Sequence, residues 1–155
     1  MSAKKPTITI CSSSNFYKQA IVIRDELETA GLTVLIPELA LKMKENNDFD
    51  VSHYKTWFGD ANDYPKKARL IRGHFAEVAN GDAILVLNHE KHGVKNYIGG
   101  NVLMEMAIAF HLNKPIFIEN DAPEESNYIE EIMGMQPIFL HGNIKDLPKK
   151  LSNLL

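Results

Sequence analysis

Short β-branched or apolar runs alternate with helical segments along the whole chain, and the first three elements form a strand–helix–strand unit. These two observations predict a single Rossmann-like (flavodoxin-like) α/β domain over residues 1–155. The expected sheet has five parallel strands, in the order 2-1-3-4-5, with helices on both faces. The length agrees, since 155 residues suit one domain and are too few for two.

Each element has its own reason. Thr7-Ile-Thr-Ile-Cys-Ser12 reads as a first, buried strand. Ser12 to Asn15 then offers capping side chains for a helix over 16–30, where Ala20, Ile23, Leu27 and Ala30 recur at helical spacing and Gly31 supplies the stop. Residues 32–36 form a second strand closed by Pro37. The stretch 38–65 is polar, with Tyr54, Trp57 and Phe58 clustered in it. It reads either as a lid or binding loop, or as a short surface helix whose aromatics plug an edge of the core. A helix resumes over 66–80 with Ala68, Ile71, Phe75 and Val78 inward, followed by a nearly all-apolar third strand over 82–87. A polar loop leads to Gly99-Gly100-Asn101 and an apolar helix ending near His111, expected to be buried on all sides. Strands over 116–118 and 138–140, a helix over 128–133 and a closing amphipathic helix over 146–155 complete the pattern.

Composition narrows the function. A net charge of −3, with basic pairs such as Lys66-Lys67 interleaved with acids, argues against nucleic acid as the partner and reads as solvated surface. A single cysteine, Cys11, fits a reducing cytoplasm and offers neither a disulfide nor a cysteine-based metal site. No signal peptide or membrane span is legible. The six histidines show no ligand spacing, so no metal or organic cofactor is expected. P-loop, dinucleotide and serine-hydrolase signatures are absent.

In such sheets ligands bind beyond the carboxyl ends of the strands where the strand order reverses, here between strands one and three. The loop at 12–15 presents three hydroxyls and an amide ahead of a helix, suited to a phosphate or sugar hydroxyl, although capping alone would use one of them. In the loop at 88–101, the glycine pair lets backbone approach a ligand, with Asn101 at or beside the helix N-cap. Glu105 is then the lone charge in Val102-Leu-Met-Glu-Met-Ala-Ile-Ala-Phe110. Lying four residues after Asn101, it shares a face with it and is a candidate nucleophile or general base; a basic partner from elsewhere would instead make it structural.

Four segments, Ile8-Thr-Ile-Cys-Ser-Ser13, Asp82-Ala-Ile-Leu-Val-Leu87, Gly99-Gly-Asn-Val-Leu-Met-Glu-Met-Ala107 and Asn113-Lys-Pro-Ile116, resemble the nucleoside 2-deoxyribosyltransferase superfamily, which includes deoxynucleoside 5′-monophosphate N-glycosidases. The resemblance covers most of the chain except 38–65. It implies that Glu105 is the nucleophile attacking the anomeric carbon, that Ser13 lies where a 5′-phosphate binds, and that Asn101 contacts sugar or phosphate. His74 stands where the family carries an acidic residue, Ala107 replaces a family glycine, and the loop from 89 to 97 is the chain's own.

The resulting expectation is cleavage of an N-glycosidic bond, or deoxyribosyl transfer, on a nucleoside or nucleoside 5′-monophosphate. Glu105 and His74 would be catalytic. Cys11, Ser12, Ser13, Asn88, Tyr97, Gly99, Gly100 and Asn101 would bind substrate, with Tyr97 or Trp57 stacking on the base. A homodimer or higher homo-oligomer is expected from the resemblance. Two other readings stay open: a non-catalytic nucleotide or sugar-nucleotide sensor, and a phosphoribohydrolase of the cytokinin-activation type, whose G-G-x-G-T-x-x-E pattern Gly99, Gly100 and Glu105 match in part.

Overall fold

The computed structural model describes residues 4–155. Five strands, β1 (Thr7–Ser12), β2 (Thr33–Leu35), β3 (Ala83–Leu87), β4 (Ile116–Ile118) and β5 (Ile138–Phe139), form one parallel sheet in the order β2-β1-β3-β4-β5. The helices are α1 (Tyr17–Thr29), α2 (Glu38–Asn46), α3 (Tyr64–Asn80), α4 (Gly100–His111), α5 (Ile129–Gly134) and α6 (Leu147–Leu154). The fold class and strand order are those the sequence predicts.

Side-chain alternation along the strands builds two cores. Ile8, Ile10, Ala83, Leu85, Leu87 and Phe117 pack with α1 and α6, while Cys11, Ile84, Val86, Ile116 and Ile118 pack with α3, α4 and α5. Cys11 therefore faces the helices that carry His74 and Glu105.

Long-range hydrogen bonds fix where α3 ends. Thr9 Oγ1 donates to the Glu77 carbonyl (2.9 Å), the Thr7 amide donates to Asp82 Oδ2 (2.7 Å), and Lys114 Nζ donates to the Ala79 and Gly81 carbonyls. Gly81 is required for that closeness, since a Cβ there would stand 2.7 Å from Thr9 Oγ1. At the end of α4, Asn113 takes a left-handed turn (φ 55°), one of the few side chains that tolerate it.

Two expectations are corrected. α4 is not buried all round: Met104, 41% exposed, borders the cleft, and Ala107 and Phe110, the latter 51% exposed, face outward, because α4 packs on one sheet face only. On α3, Ala68, Ile71 and Phe75 are only half-buried, and Ile71 and Phe75 border a cleft rather than core. The undecided stretch combines both of its readings. It forms α2 and three short 3-10 turns, buries Trp57 against the cleft and leaves Phe58 76% exposed. No helix among the described residues is long and apolar enough to cross a membrane.

Phe117 sits fully buried in the middle of the sheet. Phe117→Ala should cost about 3–5 kcal/mol of stability, measured as a lower urea midpoint at unchanged slope.

Candidate active site

Because β1 and β3 are neighbours whose connections leave on different sides, their carboxyl ends open into a crevice. It is a cleft of about 630 Å³. One wall is the loop after β1, another the α3 flank, and the third is the start of α4; Pro37, Lys55 and Trp57 close the far side.

At its floor lie the buried side chains of His74 and Glu105, with the fully buried Cys11 behind them in the core. Their donor atoms, a thiol sulfur, a ring nitrogen and a carboxylate oxygen, fall within 4.8 Å of one another. His74 Nδ1 is 2.8 Å from Glu77 Oε2, one turn along α3, so the ring presents Nε2 to Glu105 Oε2 at 3.6 Å. Neither His74 Nε2 nor Glu105 Oε2 has a hydrogen-bond partner. Burial pushes the Glu105 carboxyl up, and the opposing His74 and Lys67 charges only partly reverse this. Burial pulls the His74 imidazole down, but the Glu77 hydrogen bond and the Glu105 and Glu77 charges outweigh it, so the ring sits above its ordinary value. Cys11 is pushed well up, by burial first and by Glu105 next, and is held as a thiol.

Ser12, Ser13, Tyr97, Gly99, Gly100 and Asn101 all line the cleft. Ser13 Oγ accepts from the Asn15 amide (3.4 Å), as a cap would, and also from Lys91 Nζ (3.1 Å). Gly99 is the cap residue of α4 and has no side chain to fill that place, so the first amides of the helix remain available at the cleft. Asn101 is thus inside the first turn rather than at the cap. Gly99 also lets the Tyr97 ring lie close, since a Cβ would meet its hydroxyl at 3.0 Å.

Cys11 and Asn88, both expected at the substrate, do not line the cleft. Cys11 is fully buried because its position in β1 faces the core under α3 and α4. Asn88 is the second exception. It is fully buried outside the cleft wall, its Nδ2 donating to the Asp121 carbonyl (2.8 Å) and its Oδ1 accepting from the Asn120 amide (3.0 Å). Both ends of the amide are spent in joining the β3 and β4 exits, so it is a structural clamp.

Sequence reasoning passed over three lysines. Lys55, Lys67 and Lys91 all line the cleft. Lys67, taken for solvated surface, lies one and two turns before Ile71 and His74 on the same flank of α3, and its Nζ sits 5.6 Å from the Trp57 ring centroid. Lys91 stands 4.9 Å over the Tyr97 ring. Burial draws Lys55 down, and the Lys67 and Lys91 charges draw it down further. The spacing 67, 71, 74 was the available signal. Lys55 and Glu77 gave none.

No protein-family model matches the sequence, and no curated protein sequence does. Among solved structures, the chain is similar to the CMP N-glycosidase BcmB of Clostridium botulinum. The identity is 11%, the alignment covers 96% of this chain and 99% of that one, and the TM-score is 0.48. A likeness of that size leaves the chemistry of the cleft to be argued from its own residues.

Beside the cleft, His89 Nε2 meets Glu119 Oε2 at 2.9 Å, off the ring's N–H axis, and the carboxylate holds His89 above its ordinary 6.5. A raised folded value means the pair's stabilisation is complete below pH 6.5 and fades as pH rises through the folded value. Glu119→Gln should lower the His89 midpoint in an NMR titration. The variant's stability deficit in urea should be larger at pH 5 than at pH 9, the reverse of a carboxylate-driven trend.

Proposed function

We propose that the protein cleaves the N-glycosidic bond of a nucleoside 5′-monophosphate, with Glu105 as the nucleophile. The observation that carries this reading is a carboxylate at the floor of a cleft whose mouth holds three lysines. Burial lowers all three lysines, and the Lys67 and Lys91 charges lower Lys55 further, so an anion among them would relieve the cost, and an uncapped helix start in the same cleft adds backbone donors. A dianionic 5′-phosphate fits that end. The sugar then lies towards Glu105, and the base towards Trp57 and Tyr97, whose rings offer stacking faces.

The reaction follows from those positions. A Glu105 carboxylate oxygen attacks C1′ as the C1′–N bond breaks, the bonding pair going to the base. The protonated form of His74, favoured by the two carboxylates that flank the ring, is the acid that offers the base a proton. Water then attacks C1′ of the glycosyl ester, its proton returns to His74, and Glu105 leaves as the carboxylate. If a second base takes the place of water, the same ester gives transfer instead of hydrolysis. Glu77 is a positioning residue, fixing which ring nitrogen faces Glu105. The closeness of His74 to Glu105 supplies the acid/base partner that a mere sensor would not need.

The exposed Met104, Ala107 and Phe110 stripe on α4 suits a homo-oligomer in which a second copy covers it. Sedimentation should then show a dimer or larger assembly, which Phe110→Asp dissociates.

The direct test is release of free base from a panel of nucleosides and 5′-monophosphates. Glu105→Ala should remove release altogether. Lys67→Ala should raise KM for monophosphates about ten- to a hundredfold while changing nucleosides little, as expected for loss of a charged hydrogen bond. Ligand binding without release from any candidate would reject the reaction and favour a sensor.

A further inference from the structure

We propose that Cys11, His74 and Glu105 form a binding site for one zinc ion, with the fourth coordination position open to the cleft. The inference stands on the geometry of the three side chains, whatever the outcome of the glycosidic reading.

Three observations converge. First, the donor set is a sulfur, a ring nitrogen and a carboxylate oxygen gathered within 4.8 Å, with His74 Nε2 and Glu105 Oε2 3.6 Å apart. Bonds of about 2.0–2.3 Å in a tetrahedron place its ligand atoms roughly 3.3–3.8 Å from one another, so the nitrogen–oxygen edge is already at zinc spacing. Second, the ring is oriented as a metal-binding histidine is. Glu77 takes Nδ1 at 2.8 Å and leaves Nε2 to face the other two donors, the carboxylate–histidine–metal arrangement. Third, His74 Nε2 and Glu105 Oε2 are buried, make no hydrogen bond of good geometry, and meet each other only at 3.6 Å. Such atoms cost stability unless something meets them, and an ion between them would satisfy both.

The chemistry of the set selects the metal. One soft sulfur with one imidazole suits zinc and disfavours magnesium or calcium, which take oxygen ligands almost alone. On binding, the Cys11 thiol and Nε2 of the protonated His74 ring each give up a proton to water, and the divalent charge then balances one thiolate and one carboxylate, leaving a neutral buried centre. Three protein ligands with a fourth position towards a cleft is an accessible site rather than a closed structural one. Glu105 serves both occupants: while its lone pair holds zinc it is not free to attack C1′. Zinc should therefore antagonise glycosidic cleavage.

Cobalt(II) is the probe, because its spectrum reports both ligand geometry and sulfur ligation. Chelator-treated full-length protein should bind one equivalent with the intense visible bands of a tetrahedral site and a sulfur-to-cobalt charge-transfer band, both abolished by one equivalent of zinc. Cys11→Ser should lose the charge-transfer band. Glu77→Gln, which leaves all three ligands in place, should weaken affinity about ten- to a hundredfold. Circular dichroism of each variant separates lost ligation from lost folding, and Glu77→Gln, at a partly exposed position, keeps the test informative if Cys11→Ser unfolds. Absence of stoichiometric cobalt binding, an octahedral spectrum without the sulfur band, or a spectrum unchanged in folded Cys11→Ser would each overturn the site. Failure of base release in the same preparations would count against the glycosidic reading and leave the zinc site standing.

Discussion

An imidazole, a carboxylate and a thiol are buried together at the meeting of β1, α3 and α4, and two of their polar atoms face each other without a hydrogen bond. An arrangement of this kind does not form for its own stability, since each unmet buried polar atom costs about 1–3 kcal/mol. It persists because the elements holding it are fixed by other means. Cys11 is held by strand alternation in a parallel sheet whose central strands are buried on both faces. His74 is held by α3, whose last turn is tied to β1 through Thr9 and Asp82. Glu105 is held by α4, anchored through Val102, Met106 and Ala109.

The same placement explains how the cleft is divided. Its floor is buried, which keeps the Glu105 carboxylate poorly solvated and raises its protonation value. Its mouth carries the lysines and the open start of α4. A substrate with an anionic end and an electrophilic carbon one sugar away would lie along that gradient, with charge meeting charge at the mouth and the reacting atom reaching the floor. A metal ion would reach only the floor. The two occupants share Glu105 but not the lysines.

Much of the fold was legible because its signals are local. The apolar runs at 82–87 and 116–118 and the helical spacing of Ala20, Ile23 and Leu27 read the same way in the sequence as in three dimensions. That Glu105 belongs to a buried polar cluster was legible because a single charge interrupts an apolar helix, and His74 was singled out only through the resemblance. Lys55 and Glu77 were not legible, since their places arise from contacts between distant segments and no spacing announces them. Asn88 misled for the opposite reason. A polar residue at the exit of a central strand looks like a ligand contact, yet backbone groups of the β4 exit use up both ends of its amide. The outward apolar stripe of α4 shows a similar limit, as hydrophobic composition reports a need for cover without saying whether the same chain supplies it.

The central claim is that Glu105 forms a bond to the anomeric carbon. It is tested most directly by mixing the protein with 2′-fluoro-substituted nucleoside 5′-monophosphates, whose fluorine slows breakdown of a glycosyl ester, and recording the intact mass. A gain equal to one fluorinated sugar phosphate, mapped by peptide fragmentation to Glu105, is the result the account predicts. Base release with no mass gain, or a label on any other residue, would contradict it.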